Sequence, residues 1–96
     1  MKKSAIIINT SRGGVINEKD LNEALDKNII YGAGLDVFEK EPPDINNPIL
    51  QNKKIVLTPH AATFTKECLS NMSIETVQNV IDFFENKLNK SMIVKL

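Results

Sequence analysis

The chain carries one arginine and one histidine, and each stands where an apolar run gives way to polar residues. Arg12 follows the run Ser4–Asn9, Asp36 and Glu41 close and follow the run Ile29–Phe38, and His60 follows the run Lys54–Thr58. A carboxylate beside an imidazole fixes its tautomer and makes it a proton donor and acceptor usable near neutrality. A guanidinium close by binds an anionic substrate and polarises a carbonyl. Each residue also has a plainer reading. Arg12 serves as a surface ion-pair residue, His60 as a solvated side chain, Asp36 as a turn cap, and Glu41 as a solubilising charge in a proline-rich loop. What favours chemistry is that all of them fall at the ends of three runs.

Those runs must therefore lie side by side. Ser4–Asn9 is rich in β-branched residues and reads as a strand buried on both faces. Thr10–Gly14 follows as a polar turn. Asn17 is an N-cap candidate with Asp20 three residues on, and Leu21, Ala24 and Leu25 give a helix one apolar stripe that Asn28 stops. Ile29–Phe38 is the next extended run. Glu39–Pro48 holds three of the four prolines and reads as a loop. Lys54–Thr58 is a third strand, stopped by Pro59. Thr65 caps a helix expected from Lys66 to about Leu88, whose apolar positions from Leu69 to Leu88 form a broad stripe with Cys68 as a small core residue. The tail from Asn89 to Leu96 reads as a strand or an arm. The order β-α-β-loop-β-α implies an α/β layer structure with a parallel sheet. In such sheets ligands collect beyond the carboxyl ends of the strands, the edge that holds Arg12, Asp36, Glu41 and His60.

Composition narrows the partners. Ninety-six residues make one small domain, and twelve basic against twelve acidic residues leave a formal net charge of zero. That balance argues against nucleic-acid and membrane-surface binding. No apolar run approaches the roughly 20 residues of a membrane span. The apolar stretch near the start ends at Asn9, too early for a signal peptide, so the expected location is cytoplasmic. One cysteine and one histidine exclude an internal disulfide and argue against a metal cluster, so no metal site is expected. Of the twelve basic residues only Arg12 is arginine, which marks a position where a two-pronged grip on a carboxylate has use.

Three ordered segments carry a family resemblance. Met1–Gly13 contains Ile8-Asn9-Thr10-Ser11-Arg12-Gly13, a second segment runs Gly34-Leu35-Asp36-Val37-Phe38-Glu39-Lys40-Glu41-Pro42, and a third joins Asn47-Pro48-Ile49-Leu50 to Val56-Leu57-Thr58-Pro59-His60-Ala61-Ala62-Thr63-Phe64-Thr65. Together they resemble the NAD-dependent D-isomer-specific 2-hydroxyacid dehydrogenases, which include D-3-phosphoglycerate, D-lactate and glycerate dehydrogenases. The resemblance implies the C-terminal half of a Rossmann-type parallel sheet of about three strands, with flanking helices and a long C-terminal helix. Residues 1–64 would belong to the NAD-binding domain, and residues 65–96 to a helix and tail returning toward a substrate domain that this chain lacks.

The resemblance also implies roles. Arg12 would orient the substrate carboxylate and carbonyl, His60 would be the general acid-base, and Glu41 would pair with His60. Glu41 is preferred to Glu39 because it lies five residues after Asp36 and just before Pro42. Asp36 would hydrogen-bond the nicotinamide carboxamide of NAD. Thr10, Ser11 and Arg12, with His60, Ala61 and Ala62, would line the nicotinamide side of the cleft. The substrate would be a small 2-hydroxy or 2-oxo acid, and the full-length form a homodimer. One family feature is missing: neither Arg12-Gly13-Gly14 nor Gly32-Ala33-Gly34 is the G-x-G-x-x-G turn that holds a pyrophosphate. The chain is therefore expected to correspond to the C-terminal third of such an enzyme and to be inactive alone. The alternative is a dehydrogenase-like module that senses NAD(H).

Overall fold

The computed structural model describes residues 1–94, in two compact units, Met1–Ala62 and Thr63–Leu96. The first unit holds a three-stranded sheet with β1 at Ile6–Asn9, β2 at Gly32–Leu35 and β3 at Ile55–Leu57. All pairings are parallel and the spatial order is β1-β2-β3, with Ile6 opposite Gly32 and Ala33 opposite Ile55. Helix α1, Glu18–Asp26, crosses between β1 and β2. Single 3-10 turns at Gly13–Val15 and Pro48–Gln51 interrupt the loops.

The signals that start and stop α1 act as local chemistry dictates. Asn17 accepts a hydrogen bond from the Asp20 N–H at 2.9 Å, satisfying one free donor of the first turn. At the other end Asn28 takes a left-handed conformation, φ 56°, which asparagine tolerates better than most residues. The Lys54 ammonium reaches the Leu25 carbonyl at 2.5 Å, meeting an exposed carbonyl at the negative end of the helix.

The core lies on one face of the sheet. Leu21 and Leu25 of α1 meet Ile30, Ala33, Leu35 and Ile49, with Ile7, Ile55 and Leu57 packed alongside. Leu25 is fully buried. Truncating it in Leu25→Ala is expected to cost about 2–5 kcal/mol, because the surrounding strands cannot close the cavity. The same truncation at the exposed Ile8 should change stability little. Urea unfolding of both variants checks this, and equal losses would contradict a one-sided core.

Several expectations are corrected. β1 is not buried on both faces, since Ile6 is 60% and Ile8 73% exposed. The α1 side of the sheet takes Ile7, while Ile6 and Ile8 alternate to the other face, which the helices of this unit do not cover. The extended runs are also shorter than expected. Residue 36 still adds a rung, with its N–H donating to the Asn9 carbonyl at 3.0 Å, but its side chain is turned into the loop.

The second unit consists of α2, Lys66–Phe84, and a 3-10 turn at Lys90–Met92. Thr65 caps α2 by accepting from the Cys68 N–H at 3.1 Å. The helix stops short of Leu88 because Asn86 turns left-handed, φ 56°. The tail is a 3-10 turn rather than a strand, and its last two residues lie outside the described region. No residue of α2 is buried, and Cys68 is only half-buried, so the broad stripe is not a core within this unit. One helix alone has nothing to bury that stripe against.

Candidate functional site

Three loops leave the carboxyl ends of β1, β2 and β3, and each is pinned before it delivers its functional side chain. After β1, the buried Asn9 organises the turn. Its Oδ1 accepts from the Ser11 N–H at 3.1 Å and the Ser11 hydroxyl at 3.0 Å, while its Nδ2 donates to the Arg12 carbonyl at 2.9 Å. Thr10, Ser11 and Arg12 are exposed, and Arg12 Nη1 donates to the Ser11 carbonyl at 2.7 Å.

After β2 the chain is tied to the first turn of α1. The Glu39 carboxylate accepts from the Glu18 N–H at 2.9 Å, and the Glu18 carboxylate accepts from the Glu39 N–H at 2.7 Å and from Asn47 Nδ2 at 2.7 Å. Glu39 is thus occupied at the helix N-terminus, where a carboxylate is favoured. Glu41 is the one that faces the histidine. Its Oε1 accepts from the Phe38 N–H at 3.1 Å, and its Oε2 lies 2.7 Å from His60 Nδ1.

After β3 the turn is built around Asp36. Oδ1 accepts from the Thr58 hydroxyl at 2.6 Å and the Ala61 N–H at 2.8 Å, and Oδ2 accepts from the Ala62 N–H at 2.9 Å. These donors flank His60, whose backbone is left-handed at φ 53°. Such a conformation is uncommon outside glycine and persists where neighbouring contacts hold it. Asp36 is only 3% exposed. Three donors of the histidine turn thus engage the carboxylate that was expected to meet the nicotinamide carboxamide. The N–H groups of Ala61 and Ala62 are directed at Asp36 rather than at an open cleft.

Both carboxyls are acidified by their surroundings. The hydrogen bond from His60, then that from Phe38, holds Glu41 below the usual carboxylate range, and the charges of His60 and Arg12 add to it. The Thr58 hydroxyl and the Ala61 N–H do the same for Asp36 against an opposing effect of burial. Because the folded values lie below the unfolded ones, both groups stabilise the fold above about pH 4. That contribution is lost as pH falls through the folded values. The thermal midpoint should drop below about pH 4, and less steeply in Asp36→Asn and Glu41→Gln than in the parent. Equal steepness in all three would remove the basis for these shifts.

Sequence reasoning passed over Asn9, Glu18 and Thr58. An asparagine two residues before a serine is the signature of a side chain that closes its own turn, so Asn9 was legible in principle. Glu18 and Thr58 carry no local signal, because their partners lie 21 and 22 residues away.

A nicotinamide dinucleotide presents a neutral carboxamide at one end and a charged pyrophosphate in its middle. The exposed hydroxyls at the end of β1 suit the carboxamide. The Gly13–Gly14 turn lacks the G-x-G-x-x-G pattern of a pyrophosphate cradle, and the space beside Gly13 is filled by the Phe38 carbonyl. The residues present fit the nicotinamide end of such a cofactor and not its pyrophosphate. Among the described residues no group of three or more His, Cys, Asp or Glu is placed to hold a metal ion, and no helix is long and apolar enough to cross a membrane.

The chain is 44% identical over 93 residues to a glyoxylate/hydroxypyruvate reductase B of Enterobacter sp. (strain 638), covering 97% of this chain and 29% of that protein. An acyclic imino acid reductase solved with NADPH and D-Arg superposes with a TM-score of 0.78 at 35% identity, over 92% of this chain and 28% of the other. A D-lactate dehydrogenase of Lactobacillus jensenii solved with NAD+ gives 0.68 at 29% identity, over all of this chain and 32% of the other. The chain thus spans less than a third of the length of these relatives. Residues 1–62, which include Arg12, Glu41 and His60, match the family described as D-isomer specific 2-hydroxyacid dehydrogenase, NAD binding domain. With its parallel sheet and these motifs, the chain belongs to that family of NAD-binding oxidoreductase domains.

Proposed function

We propose that this chain contributes the proton-transfer and substrate-anchoring half of an active site that interconverts a small 2-oxo acid and its 2-hydroxy acid. The observation that carries this reading is the 2.7 Å contact between Glu41 Oε2 and His60 Nδ1. An ionised carboxylate can only accept, so Nδ1 carries a proton and the other ring nitrogen, Nε2, is left for the substrate. In the direction of reduction, protonated His60 gives the Nε2 proton to the carbonyl oxygen, and Glu41 stabilises the imidazolium beforehand. Arg12 binds the substrate carboxylate through its planar fork and orients the carbonyl. A bound nicotinamide dinucleotide supplies the hydride. Thr10 and Ser11 would line its nicotinamide end together with Ala61 and Ala62, and Asp36 would act on it only through the turn it holds.

Glyoxylate is the substrate to try first, on the likeness to the Enterobacter reductase. The full-length form in this reading is a homodimer. The test is reduction of glyoxylate and hydroxypyruvate by the full-length protein that contains this segment, followed at the nicotinamide absorbance, with NADH and NADPH in parallel. Turnover with either cofactor supports the reading. Its absence with both cofactors and both acids sinks it.

A further inference from the structure

Gly13 is buried, yet its backbone does not need glycine, for no glycine in the chain has a positive φ. The need is one of space. A Cβ at this position would stand 1.9 Å from the Phe38 carbonyl oxygen, 2.0 Å from its carbon and 2.5 Å from the Glu39 nitrogen. All three are backbone atoms, which cannot swing aside as a side-chain tip can. The neighbouring Gly14 has nothing within 4 Å of the same position. Two successive glycines thus differ sharply, one closed against a peptide group and one open.

The peptide group against Gly13 lies between two anchors. On one side, the Phe38 N–H holds Oε1 of Glu41 at 3.1 Å. On the other, the Glu39 N–H donates to the buried Glu18 carboxylate at 2.7 Å. Gly13 itself follows Arg12 directly, and Asn9 ties the Arg12 carbonyl at 2.9 Å. We propose that Gly13 is a positioning residue whose missing side chain lets the Arg12 turn close onto the Phe38–Glu39 peptide and so sets the placement of Arg12 against the Glu41–His60 pair. This rests on the reading of Arg12, Glu41 and His60 as the reacting set. A methyl group at Gly13 would drive the two backbones more than 1 Å apart before reaching even the 3.0 Å that real Cβ atoms respect. A displacement of about 1 Å in an oriented site can cost roughly 100-fold in rate.

The test compares Gly13→Ala with Gly14→Ala in the full chain labelled with carbon-13 and nitrogen-15. His60 is the sole histidine, so one set of imidazole signals reports its tautomer without assignment ambiguity. Gly13→Ala is expected to weaken the Nδ1–H signature of His60 and to move the Glu41 carboxyl titration up toward the ordinary range. In the full-length protein it should also lower kcat/KM for glyoxylate by roughly 100-fold. Gly14→Ala should leave all three as in the parent. A folded Gly13→Ala protein with unchanged imidazole and carboxyl signals overturns the proposal. If Gly13→Ala is unfolded in buffer, the signals are read in trimethylamine N-oxide, which favours compact states. Failure to fold there also overturns it, by making Gly13 a requirement of the fold rather than of the pair. Absence of turnover in the full-length parent would count against the proposed function, while the imidazole and carboxyl signals would still decide the role of Gly13.

Discussion

His60→Ala is expected to lower glyoxylate reduction by the full-length protein roughly 100- to 10,000-fold, the usual span for removing a general acid-base. The argument rests on the division of labour within the ring. Nδ1 is committed to Glu41 at 2.7 Å, and the His60 side chain remains 49% exposed, so Nε2 has room to meet a substrate. The fold should survive, because the residues that pin the turn to Asp36 are Thr58, Ala61 and Ala62 rather than His60. KM should change far less than kcat, since substrate anchoring falls to Arg12. Added imidazole should restore part of the rate. A folded His60→Ala protein that turns over like the parent would refute the acid-base role.

The second large effect is expected at Arg12. Arg12→Lys keeps the charge and discards the fork, so two parallel hydrogen bonds to a carboxylate become one. A hydrogen bond to a charged group contributes about 1.5–3 kcal/mol, which corresponds to a loss of roughly 10- to 100-fold in kcat/KM. Arg12→Ala should lose more. The defect should fall chiefly on KM for the 2-oxo acid, with the His60–Glu41 pair intact by its imidazole signals. An Arg12→Lys protein that performs as well as the parent would mean that charge alone matters here, and the substrate grip would have to be sought elsewhere. In a chain where eleven of twelve basic residues are lysine, that comparison bears directly on why this one is not.

The elements with local causes were legible from the residues. Asn17, Asn28 and Thr65 stop and start helices through bonds to residues within the same turn, and these were read from type and position alone. So was the alternation of strands and helices along the chain. What could not be read depends on contacts far along the chain. An apolar run shows that β1 can be buried, but not that only the Ile7 side is covered. The spacing that favours Glu41 over Glu39 gives no hint that Glu39 is engaged at the N-terminus of α1. Asp36 was expected to face a cofactor, and its place beneath the histidine turn comes from donors 22, 25 and 26 residues away.

The two oxygens of Glu41 are separately held, Oε1 by the Phe38 N–H and Oε2 by His60 Nδ1. A carboxylate fastened at only one oxygen swings, and in water its environment must reorient each time the imidazole beside it gains or loses charge. Here the counter-ion is already aimed, and the Phe38 N–H holds its other oxygen at 3.1 Å. In the reaction proposed, proton transfer at Nε2 therefore proceeds with little reorganisation around Nδ1, the condition under which fixed dipoles lower a barrier rather than merely solvate a charge. In that reaction a peptide N–H with no part in the chemistry would keep the site in the same electrostatic state from one turnover to the next.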